Sequence, residues 1–241
     1  MIPKDIYICH KMKSTVEHHC VAKWQTLNPE YTVHAYGNEE CIAFLKQEYG
    51  QLHVDIFNHI KGGPIKSDFW RLCMLYTRGG VYADADIEPT MPINTFLEEG
   101  VQFLTCNSYP SNGLNPQFII SSAGHGILQG CIDTYMQYYT RKILYEYWAW
   151  SITKIMPAVA ASYIPSANRY KEGIYNNIQI ISQIWPRRSS MYDVYCTWKG
   201  RKILANKAPN YDGAAHCFVN HTMPLLLTRP VRKIVPIPFR R

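Results

Sequence analysis

The sequence predicts an α/β fold, and three observations carry that expectation. Short apolar runs bounded by turn residues alternate with stretches whose apolar residues recur at the three- and four-residue spacing of a helix face. A double glycine, Gly79-Gly80, closes one such helical stretch and is followed at once by the strand-like run Val81-Tyr82-Ala83. The chain has 241 residues, 47% hydrophobic and 18% charged, which is long enough to bury a substantial core and too apolar for disorder over most of its length.

The elements follow in order. Ile6-Tyr7-Ile8-Cys9-His10 is a first strand with a polar aromatic at its end. Val16 to Leu27 has helical periodicity with Trp24 facing the core, and Asn28-Pro29 precede a second strand, Tyr31 to Ala35. Asn38 is positioned to cap a helix running to Tyr49 with Ile42, Phe44 and Leu45 inward. His53 to Ile60 reads as another short helix, and Gly62-Gly63-Pro64 as a break. Ser67 to Arg78 is the best-defined helix, its face built from Phe69, Leu72, Cys73, Leu75 and Tyr76. Beyond the strand at 81–83, Val101 to Cys106 and Phe118 to Ile120 read as strands, the latter led in by Asn115-Pro116-Gln117. Ile127 to Tyr145 reads as one long helix continued by an aromatic-rich helical stretch, Ile178 to Ile184 as a strand, and the proline-broken tail 229–241 as extended chain.

This order places Asp84 and Asp86 at the carboxyl end of a strand that follows a helix, where open α/β sheets bind ligands. Where a strand gives way to a turn, two carboxylates two residues apart can converge on one cation. Oxygen ligands select a hard ion, Mg²⁺ or Mn²⁺, and so few protein ligands leave positions for water and substrate phosphates. The partner implied is a nucleoside diphosphate. Asp68 and Arg71, three residues apart, share a face of the preceding helix. Taken singly, each residue has a plainer account: Asp68 as a carboxylate favoured by the helix dipole, Arg71 as its surface ion-pair partner, Asp84 and Asp86 as solvated turn residues.

The ordered set Ser67-Asp68-x-x-Arg71 followed by Gly79-Gly80-x-Tyr82-x-Asp84-x-Asp86 resembles the sugar-binding region of DXD glycosyltransferases of family 32, which includes yeast initiating mannosyltransferases and many capsular-polysaccharide enzymes. More distantly it is similar to the glucosylating clostridial toxins. The resemblance implies a glycosyltransferase-A fold, a Rossmann-like α/β/α sandwich with a mixed central sheet. It implies one domain over 1–241, with a nucleotide-binding half at 1–90 and an acceptor and donor-sugar half with a basic tail at 91–241. The activity implied is metal-dependent, retaining transfer of a sugar from a nucleoside diphosphate-sugar, UDP first and GDP second, to a glycan hydroxyl. By the same resemblance Asp86 coordinates Mn²⁺ or Mg²⁺. Asp84 binds ribose and sugar or the metal, Asp68 binds sugar hydroxyls, and Arg71 contacts the sugar or diphosphate. Ile8, His10, Tyr82, Asn115 and Gln117 are candidate nucleotide-sugar contacts, and His216 is the candidate third metal ligand, with His221 as its alternative. The chain departs from the family at His10, where a tryptophan is usual, at Ile155-Met156-Pro157 and at His221-Thr222. Two rival readings remain open here: a nucleotide-sugar or glycan-binding module without turnover, and a phosphatase using the first Asp of D-x-D as nucleophile. The second expects the motif near the N-terminus and a later acidic pair.

Net charge is +7, and its excess is confined to one end: residues 187–241 carry 11 Lys and Arg against two Asp. A basic terminal quarter suits diphosphate or an anionic membrane surface; no nucleic-acid motif accompanies it, so no nucleic-acid partner is expected. The expected partners are a nucleotide-sugar donor and a glycan or glycolipid acceptor. The eight cysteines form no C-x-x-C pair, and no leader or membrane-spanning segment is read, so the expected location is cytoplasmic, with peripheral membrane contact through the tail.

Overall fold

The computed structural model describes residues 1–108, 113–165, 170–186 and 193–206. Three parallel strands begin the sheet: β1 (Asp5–Cys9) lies between β2 (Thr32–Tyr36) and β3 (Gly80–Ala83). Beyond β3 the order continues through β6 (Gly113–Ser121), antiparallel to it, then β5 (Phe103–Ser108) and β8 (Ile178–Ile184). β5 and β8 run parallel, so the sheet is mixed. The far half of β8 leads into an antiparallel arm of β9 (Tyr195–Trp198), β10 (Arg201–Asn206) and β4 (Ile87–Pro89), while β7 (Gly173–Tyr175) pairs with its near half.

Strand alternation divides the core into two layers. Tyr7, Tyr82, Phe103 and Ile119 face one way and pack on α3 (Asn38–Tyr49), α4 (Gln51–His59), α5 (Gly63–Arg78) and α6 (Gly126–Thr140). The short α7 (Tyr147–Trp150) and α8 (Ile152–Ala160) complete that layer. Ile6, Ile8, Val81, Phe118 and Ile120 face the other way. There they pack on α1 (Lys13–His19), α2 (Val21–Leu27) and the β4, β9 and β10 arm. The expected layered arrangement is therefore present, but one outer layer is part helix and part β-arm. That arm, with β7, was not legible in the sequence.

Several boundaries differ for identifiable reasons. The helix expected over Val16–Leu27 is two, broken at Cys20. Asn38 does not cap α3: Gly37 holds that position, and the Glu40 side chain accepts from its N–H at 2.9 Å. Gly62-Gly63-Pro64 is not a break but the start of α5, because proline in a first helical turn lacks only an N–H that would find no partner there. Asn115-Pro116-Gln117 lies inside β6 rather than before it. The long helix expected to Tyr145 stops at Thr140.

Candidate functional site

The site forms around Arg71, one of the few fully charged side chains buried in the core, at 4% exposure. It projects from α5 across the end of β3, with its guanidinium carbon 4.1 Å from the centre of the Tyr82 ring. Nη2 lies 3.1 Å from Asp68 and 2.9 Å from Asp84, and Nη1 donates to the Pro116 carbonyl at 2.6 Å. One guanidinium thus binds the helix before the double glycine, the turn after β3, and the neighbouring strand β6. A planar fork of donors can do this where an ammonium could not.

The backbone of β6 is shaped for the contact. Its pairing with β5 slips between Thr105, opposite Ile119, and Cys106, opposite Asn115. The irregularity falls on Pro116, which has no N–H to give a ladder and is tolerated in strands at such places. It frees the Pro116 carbonyl for Arg71, and the next carbonyl, of Gln117, accepts from the Asp84 N–H at 2.9 Å. The Asp84-Ala85-Asp86 turn then closes with the Ile87 N–H donating to the Asp84 carbonyl. Beneath it a hydroxyl chain fixes the carboxylate: Tyr82 donates to Asp84 Oδ1 at 2.7 Å, and Ser67 Oγ lies 2.7 Å from the Tyr82 hydroxyl and 3.0 Å from Cys9 Sγ. Asp68 reaches the opposite wall, where its Oδ2 accepts the Ile152 N–H at the start of α8 at 3.1 Å.

Two carboxylates share this buried cation and a third, Asp86, stands two residues beyond, so among the described residues the site is short of positive charge. The consequence is visible at two of them. Burial pushes Asp68 up to about 6, only partly offset by Arg71 and the Ile152 N–H. Burial, with the neighbouring charge of Asp84, pushes Asp86 up to about 7. Arg71 stays protonated: burial opposes its charge, but Asp84, the Tyr82 oxygen and Asp68 together outweigh it.

The other candidate residues divide. Asp68, Arg71, Asp84 and Tyr82 are joined by direct bonds, with Asp86 two residues beyond Asp84. His10 follows β1 at the same carboxyl end of the parallel strands; burial lowers its pKa, and its Nδ1 accepts from the Met12 N–H at 3.3 Å. Ile8 is fully buried, and its side chain packs in the α1 and α2 layer, so the nucleotide contact expected of it is not available to that side chain. Tyr82, at 1% exposure, serves the site by holding Asp84 rather than by presenting a surface. Gln117 is likewise buried and turned inward, its amide donating to Cys196 Sγ at 3.3 Å and its oxygen accepting from Asn115 at 3.3 Å; Asn115 is half-buried beside it. Trp24 is core as expected, stacked on Phe118, with its indole N–H directed to the Ile87 carbonyl just past the turn. His216 and His221 lie outside the described residues. Sequence reasoning missed Ser67 and Cys9 as supports, the Pro116 carbonyl and the Ile152 N–H; only Ser67 carried a signal, as the first residue of its motif. A separate hollow of about 410 Å³, lined by Tyr7, His34, Tyr36 and Phe44 among others, includes none of the three carboxylates.

Among the described residues no three His, Cys, Asp or Glu side chains stand together as a closed metal cage. Asp84 and Asp86 nevertheless suit a hard divalent cation shared with phosphate oxygens: the donors are oxygen, Asp84 is held in place by two bonds, and a nearby positive charge would offset the burial and the Asp84 charge that raise Asp86.

Known proteins resemble this chain over part of its length. Residues 14–102 match the family described as "Glycosyltransferase sugar-binding region containing DXD motif", a span that includes Asp68, Arg71, Asp84 and Asp86. The initiation-specific alpha-1,6-mannosyltransferase of Candida albicans is 29% identical over 84 residues, 34% of this chain and 22% of that protein. The Saccharomyces cerevisiae protein of the same name is 29% identical over 79 residues, 32% of this chain and 16% of its own length. The matched region is therefore a minor part of either relative. Among solved structures the PaToxG glycosyltransferase superposes with a TM-score of 0.52 at 14% identity, over 68% of this chain and 70% of that one. The fold is like that of this glycosyltransferase, and residues 14–102 are similar to a sugar-binding region of the DXD kind.

Proposed function

We propose that this chain, carrying a DXD sugar-binding region on a glycosyltransferase fold, transfers a sugar from a nucleoside diphosphate-sugar to a glycan hydroxyl with retention of configuration. The observation that supports it most is the Arg71 hub, which holds Asp68 and Asp84 on one guanidinium beside Asp86 at the carboxyl end of β3. In this reading Asp84 and Asp86 hold a divalent cation, Mn²⁺ or Mg²⁺. Bound there, the ion offsets charge that develops on the leaving diphosphate, an effect worth several kcal/mol. Arg71 keeps Asp84 aimed and lends positive charge to the same region, and Asp68 presents its carboxylate to sugar hydroxyls. The C1–O bond to the diphosphate breaks as the C1–O bond to the acceptor forms. The acceptor proton passes to the departing diphosphate on the same face, so no separate base is required.

A panel of nucleoside diphosphate-sugars, each with Mn²⁺ or with chelator, tests the reading by two measurements: thermal shift and release of free nucleoside diphosphate. One donor is expected to give an ion-dependent shift and slow hydrolysis without acceptor. A shift with no hydrolysis supports a binding module instead, and full activity in excess chelator overturns the metal assignment. Asp86→Ala is expected to lower turnover by roughly 10³, taking ~4 kcal/mol for the lost stabilisation. Through its basic last quarter the chain is further proposed to contact an anionic membrane; truncating residues 229–241 should weaken salt-sensitive co-sedimentation with liposomes.

A further inference from the structure

Three of the exposed large apolar side chains among the described residues fall within six positions of one another, at a single connection. From the end of α6 into the start of α7 the chain reads Arg141-Lys142-Ile143-Leu144-Tyr145-Glu146-Tyr147-Trp148. Leu144 is 85% exposed, Ile143 and Trp148 45% each, and Arg141 and Lys142 are exposed beside them. Exposure on this scale has a cost in water that a structural role would not require. The turn is nonetheless firmly built. Lys142 takes a left-handed conformation (φ 54°), and the Ile143 N–H donates to the Tyr138 carbonyl at 2.9 Å. The indole of the fully buried Trp150 donates to the Leu144 carbonyl at 3.3 Å, so the backbone of the most exposed residue is held while its side chain points away. The Tyr145 hydroxyl accepts the Gly62 N–H at 3.2 Å, which brings the exposed Lys61 to the same neighbourhood.

We infer that residues 141–148 are a membrane-docking turn, with Ile143, Leu144 and Trp148 entering the headgroup boundary of an anionic bilayer and Arg141, Lys142 and Lys61 meeting its phosphates. The combination of cations around an aliphatic tip, with tyrosine and tryptophan behind it, matches the interface of a lipid leaflet; a soluble acidic protein would not need the aliphatic tip. Glu146 is the one acid within the turn, against two bases there and Lys61 nearby. No helix among the described residues is long and apolar enough to cross a membrane, so the contact is interfacial. The turn leads directly into Ser151 and Ile152, whose N–H binds Asp68, so docking occurs at the wall of the candidate active site. The inference stands without the proposed transfer activity, since its test reads binding alone.

The full chain is mixed with vesicles of phosphatidylcholine, with and without phosphatidylserine. Binding is expected only with the anionic lipid. Arg141→Glu with Lys142→Glu should weaken it by more than roughly 25-fold, and Ile143→Ser with Leu144→Ser roughly tenfold. Lipids brominated along the acyl chain should quench tryptophan emission in the wild type and lose most of that effect in Trp148→Phe. Thermal unfolding checks that each variant is folded; these side chains are exposed, so unchanged midpoints are expected. Wild-type binding by both double variants would assign the interaction to the basic tail and overturn the inference, as would equal quenching in Trp148→Phe. A wild-type dimer dissolved by Ile143→Ser with Leu144→Ser, without vesicle binding, would assign the turn to a second copy of the chain and also overturn it.

Discussion

Arg71 decides the electrostatics of the site, because among the described residues it is the one buried cation paired with Asp68 and Asp84, two residues from Asp86. Removing one member of a buried charged cluster leaves the others uncompensated, so Arg71→Ala is expected to destabilise the fold by about 3–5 kcal/mol in urea denaturation. An effect within experimental error would show that the three carboxylates are solvated. Asp68 gives a prediction with a definite sign. Its carboxyl rises from 3.8 to about 6 on folding, chiefly by burial, so the fold favours the protonated form. That contribution is complete below pH ~3.8 and is lost as pH rises through about 6. Asp68→Asn stays neutral and retains an oxygen for the Ile152 N–H. Its stability relative to wild type should therefore climb between about pH 4 and pH 7 and then level off, by at most about 3 kcal/mol. A difference independent of pH would mean that Asp68 is not held above its ordinary range. If Asp68 also holds the sugar, the same variant loses transfer while keeping its affinity for free nucleoside diphosphate.

At the scale of the element, the double glycine is more than a helix stop. Gly79 and Gly80 both take left-handed conformations, at φ 68° and 97°. A Cβ on Gly80 would stand 2.7 Å from the Asp5 carbonyl oxygen, an atom of the strand next to it. β1 and β3 would have to separate for any side chain to fit, and Asp84 would move with them. Gly80→Ala is accordingly expected to cost at least ~2 kcal/mol and to lower activity beyond the loss of folded protein; a fully active, equally stable variant would contradict this. The same comparison shows why part of the site was legible. Asp68, Arg71 and the two aspartates sit on elements whose periodicity and stop signal are local, so their order along the chain reports their positions in space. The Pro116 carbonyl, the Ile152 N–H and the β4, β9 and β10 arm come from pairings across many residues. A backbone group carries no side-chain signature, and β4, three residues long, is too short to show alternation. Ile8 shows the converse limit: its place on β1 was readable, but the direction of its side chain was set by which face of β1 meets α1 and α2.

At the scale of the molecule, the turn bearing Asp84 and Asp86 is the covalent link between two differently built regions. On one side is β3, central among the parallel strands; on the other is β4, which belongs to the arm through its pairing with β10. A ligand that gathers both aspartates therefore restrains the main sheet and the arm together, and its binding energy adds to the stability of the whole described fold. At a hundred times the dissociation constant this linkage is worth about 2.7 kcal/mol. For a chain of this size that corresponds to a rise of roughly 5–10 °C in the unfolding midpoint. The rise should need nucleoside diphosphate and Mn²⁺ together, because either alone leaves the charges unbalanced: the diphosphate would face Asp84 and Asp86, and the ion would lack its remaining oxygen donors. Hydrogen exchange then separates a joint restraint from a local one. Amides of β10 that pair with β4 should slow along with those of β3 when both are added, and Asp86→Ala should abolish both effects. Protection confined to β3 would mean that the turn holds its ligand without drawing in the arm.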